Sequence, residues 1–294
     1  MSIDHCHVFR RPGGELGRGE LVLLVDGHAF DLGPTAGIGL PEQLRAADAS
    51  AASLIAAARA GALPEAAPID PAEALLPPVL PAEVGKILAL GKNFRAHAEE
   101  FDEDVPTEPM FFNKLPETIV GHNATVRVPS WYEDRFDHET ELALLIGKPG
   151  RNIDPARAFE HITGYTVAND LTARTMQGDD RKLRYPWFRA KNFEGSCPLG
   201  PCLLLADPET GAPDPNDWRV TATVNGEPRQ SATTAQLVVK IPEALAWLSR
   251  HLPLQTGDVV LMGTPAGVGP LADGDEVVCA IEGIGALTTH IARP

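Results

Sequence analysis

The chain has 294 residues, enough for one large domain or a domain with a smaller companion. Its 40 acidic against 25 basic side chains give a formal charge of −15, the wrong sign for neutralising phosphates, so nucleic acid and anionic membranes are excluded as expected partners. Gly and Pro, 27 of each, make up about 18% of the chain, above average usage but short of low complexity, which predicts many turns and an ordered protein.

In chain order, the first sixty residues predict a small unit. It has a turn at 11–14, a strand over 20–25, a hairpin signal at Asp26-Gly27, and an alanine-rich helix over 46–60 opened by Pro41-Glu42. Six prolines between 64 and 81 then read as a semi-rigid linker. The expected division is a small N-terminal α/β domain with its linker, 1–75, and a catalytic domain, 76–294. Beyond Pro81 come nine short β-type runs, at 86–90, 125–128, 139–146, 164–169, 202–205, 220–225, 259–262, 275–281 and 286–291. Few helices interrupt them, at 94–101, 155–159, 171–177 and 241–249, the last with Ile241, Ala244, Leu245 and Leu248 on one stripe. The connections are too short for repeated helical crossovers, so the expected class is β-rich α+β.

Cysteines 6, 197, 202 and 279 are too few and too scattered for a disulfide framework and are expected as structural thiols. The first residues carry no basic segment followed by an apolar one, and no apolar run reaches 18 residues, so a cytoplasmic protein is expected.

The sharpest chemical signal is Phe136-Asp137-His138-Glu139-Thr140-Glu141-Leu142, where the period of a strand puts Asp137, Glu139 and Glu141 on one face and Leu142, Leu144 and Ile146 on the other. Carboxylates two positions apart, roughly 7 Å between Cα atoms, can converge on one hard cation; the alternative is a solvated acidic strand. Asp170 closes a second apolar strand just before a helical turn containing Arg174, as a third metal ligand or as a plain helix N-cap. An all-oxygen set of Glu139, Glu141 and Asp170 selects Mg²⁺ or Mn²⁺ over zinc. His97 and Glu100, three apart, share one side of a short helix, as a general-base pair needs and as exposed helix pairs also do. Lys191 among apolar neighbours could meet a substrate oxygen or snorkel to solvent. The loop 263–269 could offer the backbone N–H of Gly263 and the Thr264 hydroxyl to a carboxylate, or be a structural turn; it lacks the phosphate-loop pattern.

Taken together, these segments resemble the fumarylacetoacetate hydrolase family from about residue 84 to 291. The ordered series is Gly-x-Asn-aromatic-x-x-His-x-x-Glu at 91–100, Pro-x-Phe-Phe-x-Lys at 109–114, Asp-x-Glu-x-Glu-Leu at 137–142, Asn-Asp-x-Thr-Ala-Arg at 169–174, Ala-Lys-x-Phe at 190–193, Cys-Pro-Leu-Gly-Pro at 197–201, Val-Asn-Gly-Glu-x-x-Gln at 224–230 and Gly-Thr-Pro-x-Gly-Val-Gly at 263–269. Phe94 in place of the more usual Tyr, Thr175 in place of a common Asp, and Glu194 in place of a frequent Asp depart from the family pattern. The resemblance implies a rolled mixed β-sheet, a homodimer, and a Mg²⁺- or Mn²⁺-dependent C–C hydrolase of acylpyruvate or β-diketo 2-oxo acids working through a metal-stabilised enolate. It equally implies a 2-oxo acid decarboxylase, or an isomerase or tautomerase of the oxaloacetate or 2-hydroxyhepta-2,4-diene-1,7-dioate type, in aromatic catabolism. A non-catalytic metal-binding protein is the alternative of another class. Carried over by residue, the metal ligands are Glu139, Glu141 and Asp170, and the catalytic groups are His97 and Glu100 on a lid, with Lys191. Arg174, Gln230, Gly263 and Thr264 are then the substrate contacts. Three ligand charges against a divalent ion and Lys191 leave this expected shell near neutral, so that a small anionic 2-oxo acid should bind poorly without metal.

Overall fold

In the computed structural model, residues 6–12, 19–34, 51–70, 73, 75–102, 104–206 and 215–294 are described. The strands in chain order are β1 (His7–Arg11), β2 (Glu20–Val25), β3 (His28–Pro34), β4 (Ile87–Gly91), β5 (Met110–Lys114), β6 (Ile119–Val120), β7 (Ala124–Arg127), β8 (Phe136–Asp137), β9 (Thr140–Ile146), β10 (Ile162–Asn169), β11 (Thr172–Ala173), β12 (Cys197–Leu205), β13 (Arg219–Val224), β14 (Glu227–Thr233), β15 (Val259–Leu261), β16 (Glu276–Ile281) and β17 (Gly285–Ala292). The α-helices are α1 (Ala51–Arg59), α2 (Arg95–Glu100), α3 (Arg174–Lys182), α4 (Phe188–Lys191) and α5 (Ile241–His251).

A ten-stranded mixed sheet runs β3-β2-β1-β12-β10-β9-β15-β4-β5, with β6 joined to β12. A five-stranded sheet runs β14-β13-β16-β17-β7, and β8 with β11 forms a two-stranded ladder. The period of two explains how β9 serves both faces of the large sheet. Leu142, Leu144 and Ile146 pack with Val220, Val277, Cys279 and Leu287 of the five-stranded sheet. Ala143 and Leu145 pack on the opposite side with Leu203, Leu23 and Val259. Each fully buried aliphatic side chain here contributes about 1.5–3 kcal/mol relative to exposure. Ile241, Ala244, Leu245 and Leu248 are buried along α5, as their spacing requires.

The class expected from the sequence, a β-rich α+β fold with a rolled mixed sheet, is the one observed, with several differences in detail. The N-terminal strands continue the large sheet, β1 pairing antiparallel with β12 at His7↔Leu204 and Val8↔Leu203. Asp26 and Gly27 both have positive φ, 51° and 80°, the conformation a two-residue hairpin turn needs. Of the expected first helix, Ala51–Arg59 is helical, whereas 41–50, with Pro41 and Glu42, lies outside the described residues. The proline-rich stretch is docked along the sheet through bridges Phe30↔Glu65 and Arg10↔Leu76, with Leu75 and Val79 buried. Strand β12 starts at Cys197 and runs through Pro198 and Pro201, well before the expected 202. Helix α3 starts at Arg174, three residues later than expected, because Thr172 and Ala173 pair with Asp137 and Phe136 in the β8–β11 ladder. No helix among the described residues is long and apolar enough to cross a membrane. All four cysteines are buried outside any disulfide; burial pushes Cys197 and Cys279 up to about 12, which keeps them unreactive.

Candidate metal centre

Strand register builds the acidic cluster. Antiparallel pairing of β9 with β10 sets Glu141 opposite Ala168 and Thr140 opposite Asn169, so the next position along, Asp170, falls opposite Glu139. The Asp170 N–H donates to the Glu139 carbonyl at 2.8 Å and the Glu139 N–H to Asn169 Oδ1 at 3.0 Å, fixing that end of the ladder. Glu139 and Glu141 share a face, and Glu139, Glu141 and Asp170 each bring a carboxylate oxygen within 4.8 Å of the others. All three are at most 4% exposed, which overturns the solvated-strand alternative. The N-cap alternative for Asp170 also fails: α3 begins four residues on, at Arg174, with no side-chain cap.

Cations surround the cluster. Lys191, at the end of α4, donates to Glu139 Oε2 at 2.7 Å, Asp170 Oδ2 at 2.6 Å and Thr172 Oγ1 at 2.7 Å, and lies 4.8 Å from the centre of the Phe112 ring. It is buried, so it does not snorkel, and its three protons are all committed; a bond to a substrate oxygen would have to replace one of these. Arg174 donates to Asp137 Oδ2 at 2.8 Å, to Gln177 Oε1 at 2.7 Å and to Glu139 Oε1, while stacking on Phe101. Burial opposes ionisation of Glu139, but the charges of Lys191 and Arg174 outweigh it and hold the carboxyl well below the usual range. Glu141 goes the other way: burial, and then the charges of Asp170 and Glu139, push it well above. Carboxylates crowded until one resists ionisation, all with hard oxygen donors, suit a divalent cation such as Mg²⁺ or Mn²⁺.

The loop after β15 serves the cluster from the other side. The Gly263 N–H donates to Glu141 Oε2 at 2.7 Å, so it supports a carboxylate of the protein and not one of a substrate. Gly263 has φ 91° and a Cβ there would stand 2.7 Å from Asn93 Cβ, so only glycine fits. Asn93 ties the same loop down, donating to the Met262 carbonyl at 2.8 Å. Gln230 is not brought into the cleft. Its amide is spent on Thr264 Oγ1 at 2.8 Å, the Pro265 carbonyl at 2.7 Å and the Thr140 N–H at 3.0 Å, making it a positioning residue for the loop. Thr264, accepting from Gln230, lines the cleft itself.

That cleft, of about 210 Å³, contains Glu139, Glu141, Lys191, Arg174, Thr264 and His97 in its walls. His97 Nδ1 lies 3.2 Å from Glu100 Oε2, one helical turn along α2, and Glu100 Oε1 accepts from the Gly267 N–H at 3.1 Å. Burial works against the Glu100 charge, but its hydrogen bonds from His97 and Gly267 prevail and keep it below the usual range. An ionised Glu100 fixes the proton on Nδ1 and leaves the lone pair on Nε2, the tautomer of a base.

Two members of the cluster were not assigned a role from the sequence. Lys114 ends β5 inside the motif at 109–114; it is 1% exposed, ion-paired to Asp170 Oδ1 at 2.8 Å, and donates to the Lys191 carbonyl. Asp137, on the acidic face, is bracketed by Arg135 and Arg174, each at 2.8 Å. Their inclusion changes the local charge. Asp137, Glu139, Glu141 and Asp170 against Lys114, Arg135, Arg174 and Lys191 leave a formal charge of zero, which a divalent ion would turn to +2 and so away from the near-neutral shell expected. Replacing Lys114 with Met should cost about 3 kcal/mol in chemical denaturation because Asp170 loses a buried counter-charge; an unchanged midpoint would mean that Lys191 alone satisfies Asp170.

Fold and cluster together define a member of one enzyme family. The model for the fumarylacetoacetate (FAA) hydrolase C-terminal domain matches residues 86–292, and the chain belongs to the fumarylacetoacetate hydrolase family, whose members include hydrolases, isomerases and tautomerases. It is 36% identical over 221 residues to the oxaloacetate tautomerase YisK of Bacillus subtilis, covering 72% of this chain and 71% of that one. A fumarylpyruvate hydrolase from Pseudomonas aeruginosa, solved with Mn²⁺ and pyruvate, superposes with a TM-score of 0.67 at 32% identity over 75% of this chain and 92% of its own. The 2-hydroxyhepta-2,4-diene-1,7-dioate isomerase of Mycobacterium marinum gives a TM-score of 0.67 at 28% identity over 99% of both chains.

Proposed function

We propose that the protein is a divalent-metal-dependent hydrolase of the C–C bond in acylpyruvate-type 2-oxo acids. The observation that carries this reading is His97, paired with Glu100, in the wall of the same cleft as Glu139 and Glu141, whose carboxylates group with that of Asp170. An ion held by those three carboxylates, Mg²⁺ or Mn²⁺, would supply Lewis acidity to the oxygens of the 2-oxo acid end. His97 Nε2 takes a proton from water for attack on the distal carbonyl, with Glu100 orienting the ring and stabilising its charged form. Thr264 donates its hydroxyl proton to a substrate oxygen, and Lys191 and Arg174 hold the ligand carboxylates ionised. Phe101 and Phe112 keep the walls apolar, which strengthens each of these contacts.

A second reading, tautomerisation of oxaloacetate, is favoured by the similarity to YisK. It uses the same carboxylates and His97 as a proton carrier and needs no water. Fumarylpyruvate and oxaloacetate, each incubated with Mn²⁺-loaded protein and followed by NMR, separate the two. Pyruvate and fumarate from the first substrate are the expected result. Exchange of the oxaloacetate C3 protons without bond cleavage in either compound would replace hydrolysis by tautomerisation, and carbon dioxide release would make it a decarboxylase.

A further inference from the structure

Trp187 stands at the junction of two cavities. It immediately precedes α4, and its carbonyl accepts the Lys191 N–H at 3.1 Å, so the short helix that carries Lys191 starts from it. Its indole meets the Phe112 ring of β5 close to edge-on, with ring centres 5.7 Å apart and planes at 63°. These two rings line the cleft of the carboxylate cluster and also a second cavity, of about 310 Å³. Phe112 reaches the cluster itself, since the Lys191 ammonium bonded to Glu139 and Asp170 lies 4.8 Å from its ring centre. The partition between the cavities therefore begins one ring away from the cluster.

Glycine at 91 makes room for the indole. Gly91 ends β4 opposite Met110 of β5, and a Cβ there would stand 2.5 Å from Met110 Cε and 3.1 Å from Trp187 Cζ3, pressing on both side chains. With no side chain at 91, the indole lies against the strand end and is half-buried in a stretch that is otherwise exposed from 181 to 189. Beyond the shared rings, the second cavity is lined by Met110, Phe111, Tyr185, Pro186 and Phe188, with Asn113. Tyr185 and Phe188 are 57% and 46% exposed, so this cavity offers an apolar group aromatic surface to cover.

We propose that Trp187 is a specificity-determining residue for the acyl group of the substrate: its indole, backed by Phe112, ends the acid cleft and keeps apolar tails out of the neighbouring cavity. The inference rests on the 2-oxo acid reading above and adds to it a limit on the group carried beyond the 2-oxo acid end. Compact groups stay on the cluster side of the partition. An aromatic ring attached a few carbons beyond the 2-oxo group runs into it. Removing the indole joins the two cavities, and the same ring then packs against Tyr185 and Phe188.

Calorimetric titration of the Mn²⁺-loaded protein with 2-oxobutanoate and 4-phenyl-2-oxobutanoate tests this without depending on turnover. The two ligands share the 2-oxo acid end and differ in the phenyl ring. The unaltered protein should bind the phenyl compound no tighter than 2-oxobutanoate. Trp187→Ala should bind it about tenfold tighter or more than the unaltered protein does, the worth of a partly buried ring, with 2-oxobutanoate changed by less than about twofold. Trp187→Phe should show a smaller gain, and Tyr185→Ser added to Trp187→Ala should remove most of it, because the ring leans on the second cavity. A tenfold preference for the phenyl compound in the unaltered protein would overturn the inference, as would a ratio that Trp187→Ala leaves unchanged or a gain that Tyr185→Ser leaves intact. Loss of both ligands in Trp187→Ala would mean that the indole also supports α4, and Trp187→Phe then decides by the same ratio. Failure of 2-oxobutanoate to bind the unaltered protein would refute the 2-oxo acid reading itself, and the inference with it.

Discussion

Glu141→Gln should lower Mn²⁺ affinity by about 100-fold or more while leaving the fold intact. The substitution is the gentlest available in the cluster. Glu139 is also bonded to Lys191 and Arg174, and Asp170 to both lysines, so their replacement would strand buried cations. Glu141 instead accepts from the Gly263 N–H, which a glutamine carbonyl can also satisfy. Its carboxyl is already pushed well above the usual range by burial and by Asp170 and Glu139, so a neutral amide resembles its favoured form. Thermal unfolding with and without Mn²⁺ checks both halves of the expectation. The unaltered protein gains about 2.7 kcal/mol when the ion is present at a hundred times its dissociation constant, and the variant at the same concentration should gain less than about 0.5 kcal/mol. An unchanged metal-dependent shift would remove Glu141 from the ligand set.

The second large effect is on chemistry and not on binding. His97→Ala should reduce C–C hydrolysis by about 10²–10⁴-fold, the range of a lost general base, with Mn²⁺ affinity unaffected because His97 lies outside the carboxylate triad. Enolisation of the substrate, followed by exchange of its C3 protons with deuterated solvent, should suffer much less. Glu100→Gln should show a weaker version of the same split, since the ring loses its orienting charge and not its lone pair. Equal loss of hydrolysis and exchange in His97→Ala would mean that the histidine either carries the enolisation proton, as tautomerisation requires, or only positions α2 against the 263–269 loop, and in both cases is not specifically the base that activates water.

The legible part of the site was the part that follows from strand geometry. A period of two puts Glu139 and Glu141 on one face, and an apolar strand closed by Asp170 supplies a third carboxylate once the two strands pair in register. The counter-charges were less visible. Lys114 closes Met110-Phe111-Phe112-Asn113-Lys114, whose composition has no clean alternation, and its burial depends on Asp170 and Ser196, which come from segments distant in the chain. The resemblance sets Gln230 against substrate, and the backbone N–H groups of the glycine-rich loop suggest the same for Gly263. The fold spends those groups on Thr264 and Glu141 instead, a choice set by tertiary packing. Among the strands, β12 reaches well beyond the expected 202–205, because Val167↔Gly200 and Ala168↔Leu199 pairing with β10 carries it through Pro198 and Pro201, residues rare in a central strand. Helix α3 starts later than its sequence suggests because Thr172 and Ala173 join the two-residue β8–β11 ladder, which has no signature in so short a stretch.

The contact of β1 with β12 has a consequence for aggregation. A strand that terminates a sheet presents a row of unpaired N–H and C=O groups to any passing chain. Without β1, the stretch Leu203–Leu205 of β12 would be such a row, with leucines on both faces; instead Leu205 N–H donates to the Cys6 carbonyl at 2.9 Å and the frontier moves outward to β3. There the chain shields itself again, with the Asp31 N–H bonded to the Pro64 carbonyl and the Ala66 N–H to that of Ala29. The N-terminal strands and the proline-rich segment thus act together as a selvedge, a finished border that leaves fewer open backbone groups along this edge of the sheet that carries the carboxylate cluster.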